Sequence, residues 1–111
     1  YDIRHRAPWM KGGGERIAVA VSHQDQVVEP PPGATVLAGS DFTPFGMLDY
    51  GGGAVSFQQH PEFDAAYAKA LVEIRRGKPL TDAQVEAAIA SLDQPSDRAV
   101  LSQWIRNFLK A

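Results

Sequence analysis

The 111-residue chain contains no cysteine. That absence excludes a disulfide framework, thiolate metal centres and any cysteine nucleophile within these residues. No apolar run approaches the roughly 20 residues that a helix needs to cross a bilayer, and the first residues lack the apolar centre of a signal peptide. Nor does one sign of charge prevail: the formal net charge is -2, and the charged residues are scattered. Such a surface has no continuous basic stripe to neutralise a phosphate backbone. The expectation is a soluble, cytoplasmic protein that binds neither membrane nor nucleic acid. Apolar residues make up 44% of the chain, enough at this length for one hydrophobic core and therefore one domain or a piece of one.

What is present divides in two, with residues 1–63 rich in strand signals and residues 64–111 helical. Residues 16–21 read as a strand because Ile17, Val19 and Val21 alternate with small residues. Gly12, Gly13 and Gly14 before it lack a following Lys-Ser or Lys-Thr, so they form a flexible turn and not a phosphate loop. Val27 and Val28 offer a short extended piece. Pro30, Pro31, Pro32 and Gly33 then force a turn, because proline cannot donate a backbone hydrogen bond. Residues 35–38, 45–50 and 54–58 are three further strand candidates, and Gly51, Gly52 and Gly53 between the last two signal a hairpin, so a β-meander is expected.

Three helices should follow. Asp64 can cap the first, with Tyr67, Leu71 and Ile74 as its apolar face, Arg75 and Arg76 at its negative end and Gly77 at its exit. Thr81 and Gln84 form a capping-box pattern for the second, whose apolar face is Val85, Ile89 and Leu92. Pro95, Ser96 and Asp97 open the third, which presents Val100, Leu101, Trp104, Ile105, Phe108 and Leu109 at helical spacing as core. Arg4, His5, Arg6 and Trp9 precede all of this. They read as a solvated loop, with contact to an acceptor or another subunit as the alternative.

The chemistry lies in two short segments. In Ser56-Phe57-Gln58-Gln59-His60-Pro61-Glu62-Phe63, Pro61 fixes its own φ and keeps His60 extended, so the two flanking side chains hold a defined relation. A carboxylate accepting from one imidazole nitrogen sets the tautomer and frees the other nitrogen to take a proton. His60 is then a candidate base and Glu62 its orienter. A lone triplet of this kind also fits an ordinary strand-end histidine beside a surface glutamate. The second segment is Ser22-His23-Gln24-Asp25-Gln26-Val27, again at a strand end, where ligands of open α/β sheets collect. His23 and Asp25 fit equally well a side-chain to backbone network that ties down the loop before the prolines.

Taken together and in this order, the two segments resemble the end of class I, triad-type glutamine amidotransferase domains, with their Ser-His-x-Asp-x-Val and Gln-x-His-Pro-Glu patterns. The resemblance covers about residues 16–76. The helical tail ending Trp104-Ile105-Arg106-Asn107-Phe108-Leu109 looks like that of free-standing members similar to the amidotransferase domain of GMP synthase. The resemblance implies an α/β, flavodoxin-like fold of which residues 1–111 are the carboxy-terminal part of one domain: a β-meander carrying the catalytic loops, followed by three helices. It implies a glutaminase that hydrolyses the glutamine side-chain amide to glutamate and ammonia through a Cys-His-Glu triad. His60 would activate the thiol and shuttle its proton, and Glu62 would orient the imidazole. Ser22, His23, Gln24 and Asp25 would hold the α-amino and α-carboxylate groups of glutamine.

The resemblance also implies what this sequence does not contain. The nucleophilic cysteine, its glycine-rich elbow and the oxyanion-hole strand belong to an amino-terminal half that would have to come from elsewhere, and these 111 residues alone should be silent towards glutamine. An apolar face left uncovered without that half would seek it, a domain swap or a homo-oligomer. The ammonia acceptor is not legible. No cofactor and no metal are expected on this reading. Two alternatives stand beside it: a small metal-binding hydrolase or β-barrel metalloprotein using His23, Asp25, His60 and Glu62 for zinc, iron or manganese, and a non-catalytic interaction module.

Overall fold

The computed structural model describes residues 1–21, 25–78 and 80–110. Its sheet has four antiparallel strands in sequence order: β1 (Asp2–Ile3), β2 (Thr35–Gly39), β3 (Met47–Gly51) and β4 (Ala54–Phe57). The expected meander is therefore present from β2 onward, while the two-residue β1 carries too little pattern to be read from sequence. The β3–β4 hairpin closes on Gly51, Gly52 and Gly53, which have φ of 75°, 61° and 86°. Three consecutive left-handed residues admit little except glycine, which is why the triplet stands there.

Residues 16–21 correct the strand expectation. They join the sheet only through isolated bridges, Arg16 with Asp2 and Val21 with Gln59. The nitrogen of Ile17 donates to the Tyr1 carbonyl at 2.8 Å, whereas Asp97 binds Ala18 and the nitrogen of His60 donates to the Ala20 carbonyl at 2.7 Å. The segment is thus extended and bonded at both ends, but to successive partners from one edge of the sheet to the other, so no continuous ladder forms. Val27 and Val28 likewise belong to no strand, and Val28 is 83% exposed. The turn after the prolines forms as expected, with Ala34 donating to the Pro31 carbonyl at 3.2 Å.

The three helices are α1 (Ala65–Ile74), α2 (Asp82–Ser91) and α3 (Arg98–Lys110). Asp64 caps α1 by accepting from the nitrogen of Tyr67, and Thr81 with Gln84 forms the complete capping box of α2. The buried face of α1 differs from expectation. Ala68 is buried and Leu71 and Val72 are half-buried, while Tyr67 and Ile74 are 52% and 72% exposed, so of the expected face only Leu71 turns inward. On α3 the stripe is correct in its centre: Leu101 and Trp104 are buried and Val100, Ile105 and Phe108 pack beside them, but Leu109 is exposed.

Those α3 residues share one core with Trp9, Met10, Ile17, Leu37, Ala38 and Met47. The solvated-loop reading of Arg4, His5, Arg6 and Trp9 fails for Trp9, and Arg6, though exposed, is tied to the backbone. Trp9 is buried and meets the ring of Phe108 edge-on at 5.4 Å. Arg6 donates to the carbonyls of Met10, Gly12 and Gly14 at 2.8, 3.0 and 2.8 Å and lies over Trp104, so a planar multi-donor side chain organises the glycine turn. Arg4 and His5 are exposed. No helix among the described residues is long and apolar enough to cross a membrane.

Candidate functional site

The expected pairing of histidine and carboxylate is present. His60 Nδ1 and Glu62 Oε1 lie 2.5 Å apart across Pro61. An ionised carboxylate can only accept, so the short contact requires the proton on Nδ1 and leaves Nε2 with its lone pair. The turn is closed locally by the nitrogen of Phe63 donating to the His60 carbonyl at 3.1 Å. The Phe63 ring stacks on the imidazole, centroids 4.4 Å apart and planes 10° apart, and Tyr67 meets Phe63 at 4.8 Å. The His60 side chain remains about one-third exposed and that of Glu62 more than half, so a reacting group could reach the pair.

Electrostatics favour the charged carboxylate. Slight burial pushes the pKa of Glu62 up, but its own backbone N–H and the hydrogen bond and charge of His60 together hold it below the ordinary carboxylate value. Glu62 therefore stays ionised through the neutral range and keeps accepting from the imidazole.

Longer-range contacts brace this turn. The Pro61 carbonyl accepts from Arg98 Nε at 2.9 Å. Next to it, Asp97 takes the nitrogen of Ala18 on Oδ2 at 2.8 Å and donates its own nitrogen to the Ala18 carbonyl at 2.7 Å. Two consecutive residues at the start of α3 thus tie the His-Pro-Glu turn to the segment that runs towards residues 22–25. Sequence reasoning treated Asp97 only as a helix start and gave Arg98 and Phe63 no part. The aromatic just before the Asp64 cap was a usable signal for Phe63; no local pattern announces a bond from residue 97 to residue 18.

Of the other candidates, Ser22, His23 and Gln24 lie outside the described residues, and Asp25 is exposed. The residues on either side of that segment are described. Val21 pairs with Gln59, immediately before His60. Gln26 donates to the Phe42 carbonyl at 3.0 Å and accepts from Thr43 Oγ1 at 3.2 Å, which braces the loop between β2 and β3. Among the described residues no group of three or more histidine and carboxylate side chains is close enough to hold a metal ion. The four-residue metal reading draws no support from them.

Two known proteins match most of this chain. A glutamine amidotransferase-like protein of Schizosaccharomyces pombe is 31% identical over 98 residues, 87% of this chain and 40% of its own length. Gamma-glutamyl peptidase 5 of Arabidopsis thaliana is 30% identical over 96 residues, 85% of this chain and 38% of its own length. The chain thus spans about two fifths of the relatives it matches. No protein-family model matches it, and no solved structure matches it significantly. The two relatives bear out the class I glutamine amidotransferase-like resemblance.

Proposed function

From that kinship we propose that the chain supplies the histidine and glutamate of a Cys-His-Glu triad that hydrolyses the side-chain amide of glutamine or a related γ-glutamyl bond. The observation that carries the reading is the contact between His60 Nδ1 and Glu62 Oε1, which makes Nε2 the nitrogen that can take a proton. The cysteine comes from a part of the protein outside these 111 residues, since none is present here. That part completes a flavodoxin-like domain akin to the free-standing GMP-synthase-like amidotransferases, of which residues 1–63 contribute the sheet with its catalytic loops and residues 64–111 the helical tail. A groove of about 300 Å³ between residues 18–21 and the α1–α2 pair, lined by Val19, Val21, Phe63, Val72, Leu92 and Pro95, supports an unfilled apolar contact of the sort such a part would cover.

The chemistry follows from the free nitrogen. His60 Nε2 removes the thiol proton, because the thiolate and not the thiol is the nucleophile. The thiolate attacks the γ-carbonyl carbon, and the C–N bond breaks as His60 returns the proton to the leaving amine. The γ-glutamyl thioester that remains is cleaved by water, again deprotonated by His60, to give glutamate and the free thiol. Glu62 stabilises the imidazolium formed at each stage without being protonated itself. Ser22, His23, Gln24 and Asp25 hold the α-amino and α-carboxylate groups of the γ-glutamyl substrate. The name of the Arabidopsis relative favours a γ-glutamyl peptide as the alternative to free glutamine, with an amino acid or peptide as leaving group in place of ammonia.

Incubating the purified chain with glutamine, alone and then with a separately produced cysteine-bearing amino-terminal part, tests the proposal. No ammonia should appear with the chain alone, because an imidazole without thiolate and oxyanion hole has neither nucleophile nor charge stabiliser. Turnover should appear on mixing, and Glu62→Gln should reduce it less than His60→Ala. Turnover by the chain alone would overturn the triad reading.

A further inference from the structure

A histidine ring is not held by its own torsion. Its χ2 well is broad and roughly two-fold, so an imidazole that must present one nitrogen to a carboxylate and the other to a substrate needs an external plane. Glu62 holds one corner of the ring at Nδ1, which still allows the ring to pivot about that contact. Phe63 supplies the missing constraint. Its ring lies parallel to the imidazole within 10°, at a centroid distance of 4.4 Å. It is itself held from behind by Tyr67 at 4.8 Å, in the first turn of a helix capped by Asp64. The turn bond from the Phe63 nitrogen to the His60 carbonyl sets the spacing of the two rings.

We propose that Phe63 is a positioning residue for His60: its flat face, anchored on α1, fixes the imidazole plane so that Nδ1 stays on Glu62 and Nε2 points outward. This deepens the triad reading and rests on it for its functional meaning, but the positioning itself is a property of the 111-residue chain. Leucine or methionine can replace the area of the phenyl ring but not its plane, whereas tyrosine keeps both. An aromatic face beside the ring also suits the imidazolium that forms when Nε2 takes a proton, through attraction to the π cloud.

The test is nitrogen-15 NMR of the His60 side chain in the intact chain, read at neutral pH where the two tautomers give distinct shifts for Nδ1 and Nε2. The parent and Phe63→Tyr should both show a single tautomer protonated on Nδ1. Phe63→Leu should show loss of the fixed ring orientation in contacts from the imidazole protons, with tautomer exchange wherever the pivoting ring leaves Glu62. Phe63→Met serves as the second non-planar variant if the leucine form does not fold, and should behave like it. A single Nδ1-protonated tautomer with unchanged orientation in a folded non-planar variant would overturn the proposal. That outcome is independent of the triad, which fails instead if His60→Ala leaves glutamine hydrolysis intact in the assembled enzyme.

Discussion

Helix α3 packs into the core of the sheet, whereas α1 and α2 pack chiefly on each other, and the two regions are held by different forces. Leu101 and Trp104 of α3 lie in the core, Trp104 Nε1 donates to the Lys11 carbonyl at 2.9 Å, and Asn107 donates to the Trp9 carbonyl at 3.1 Å. The α1–α2 pair buries Ala68 and Val85 outside that core and carries ion pairs on its surface: Arg76 with Glu73, Asp82 and Glu86, and Lys69 with Asp93. Apolar burial scales with area and is not screened by salt, whereas exposed ion pairs contribute little and are screened. The difference locates the source of the site's rigidity. Asp97 and Arg98, at the root of the strongly buried helix, hold both segments that lead to the candidate site, while the weakly held pair supplies the aromatic backing of His60.

The largest effect should come from removing the anchor of α3. Trp104→Ala should cost about 3–5 kcal/mol, the usual range for deleting a buried tryptophan, measured by denaturant unfolding. It should also release the glycine turn, since Arg6 stacks on that ring. Next, Val85→Ala removes two methyl groups from a fully buried position and should cost about 2 kcal/mol. Its signature is local: amide exchange should rise in α1 and α2 while α3 stays protected. Equal loss of protection in all three helices would break the comparison, because it would make the helices one cooperative unit.

The surface charges should matter least. Glu73, Glu86 and Asp82 hold the Arg76 guanidinium charged by direct hydrogen bonds, but the cluster is open to water. Arg76→Gln should therefore give only a small loss of stability, and one that vanishes in high salt. A salt-independent loss would show that the pair depends on more than screened charge. The pH response of Glu62 has a definite sign. Its folded pKa is depressed, so its contribution is present above the ordinary value of 4.5 and is lost as pH falls through the folded value. The His60–Glu62 contact, followed by NMR, should persist at neutral pH and open only below the ordinary carboxylate value of 4.5, with little change in global stability because the carboxylate is largely exposed.

These contrasts also explain what the sequence made legible. The caps at Asp64 and Thr81, the triple-glycine hairpin and the proline turn depend on residues within a few positions of one another, and each formed as its local chemistry dictates. The His60–Glu62 contact belongs with them, since one proline separates the two residues. The failures were long-range. Residues 16–21 have strand alternation, yet their partners are Tyr1, Asp97 and Gln59, which no local pattern could assemble into a ladder. Periodicity on α1 favoured Tyr67 and Ile74, but the inward face was decided by what lay opposite, and that was the side of Ala68. Arg6 is exposed as a surface charge should be, but its bonds were not legible because the three carbonyls it binds are backbone atoms, which carry no sequence signature.

The central claim is that His60, oriented by Glu62, is the proton-transferring base of a triad completed from outside this chain. Its most direct test is glutamine turnover by the chain assembled with its cysteine-bearing part, comparing His60→Asn with the parent and recording unfolding midpoints in parallel. A triad base supplies transition-state stabilisation and this one is partly exposed, so turnover should fall by about 10³-fold or more while the midpoint is unchanged. Turnover within about threefold of the parent in a folded His60→Asn protein would contradict the account, because no triad tolerates loss of its base so lightly.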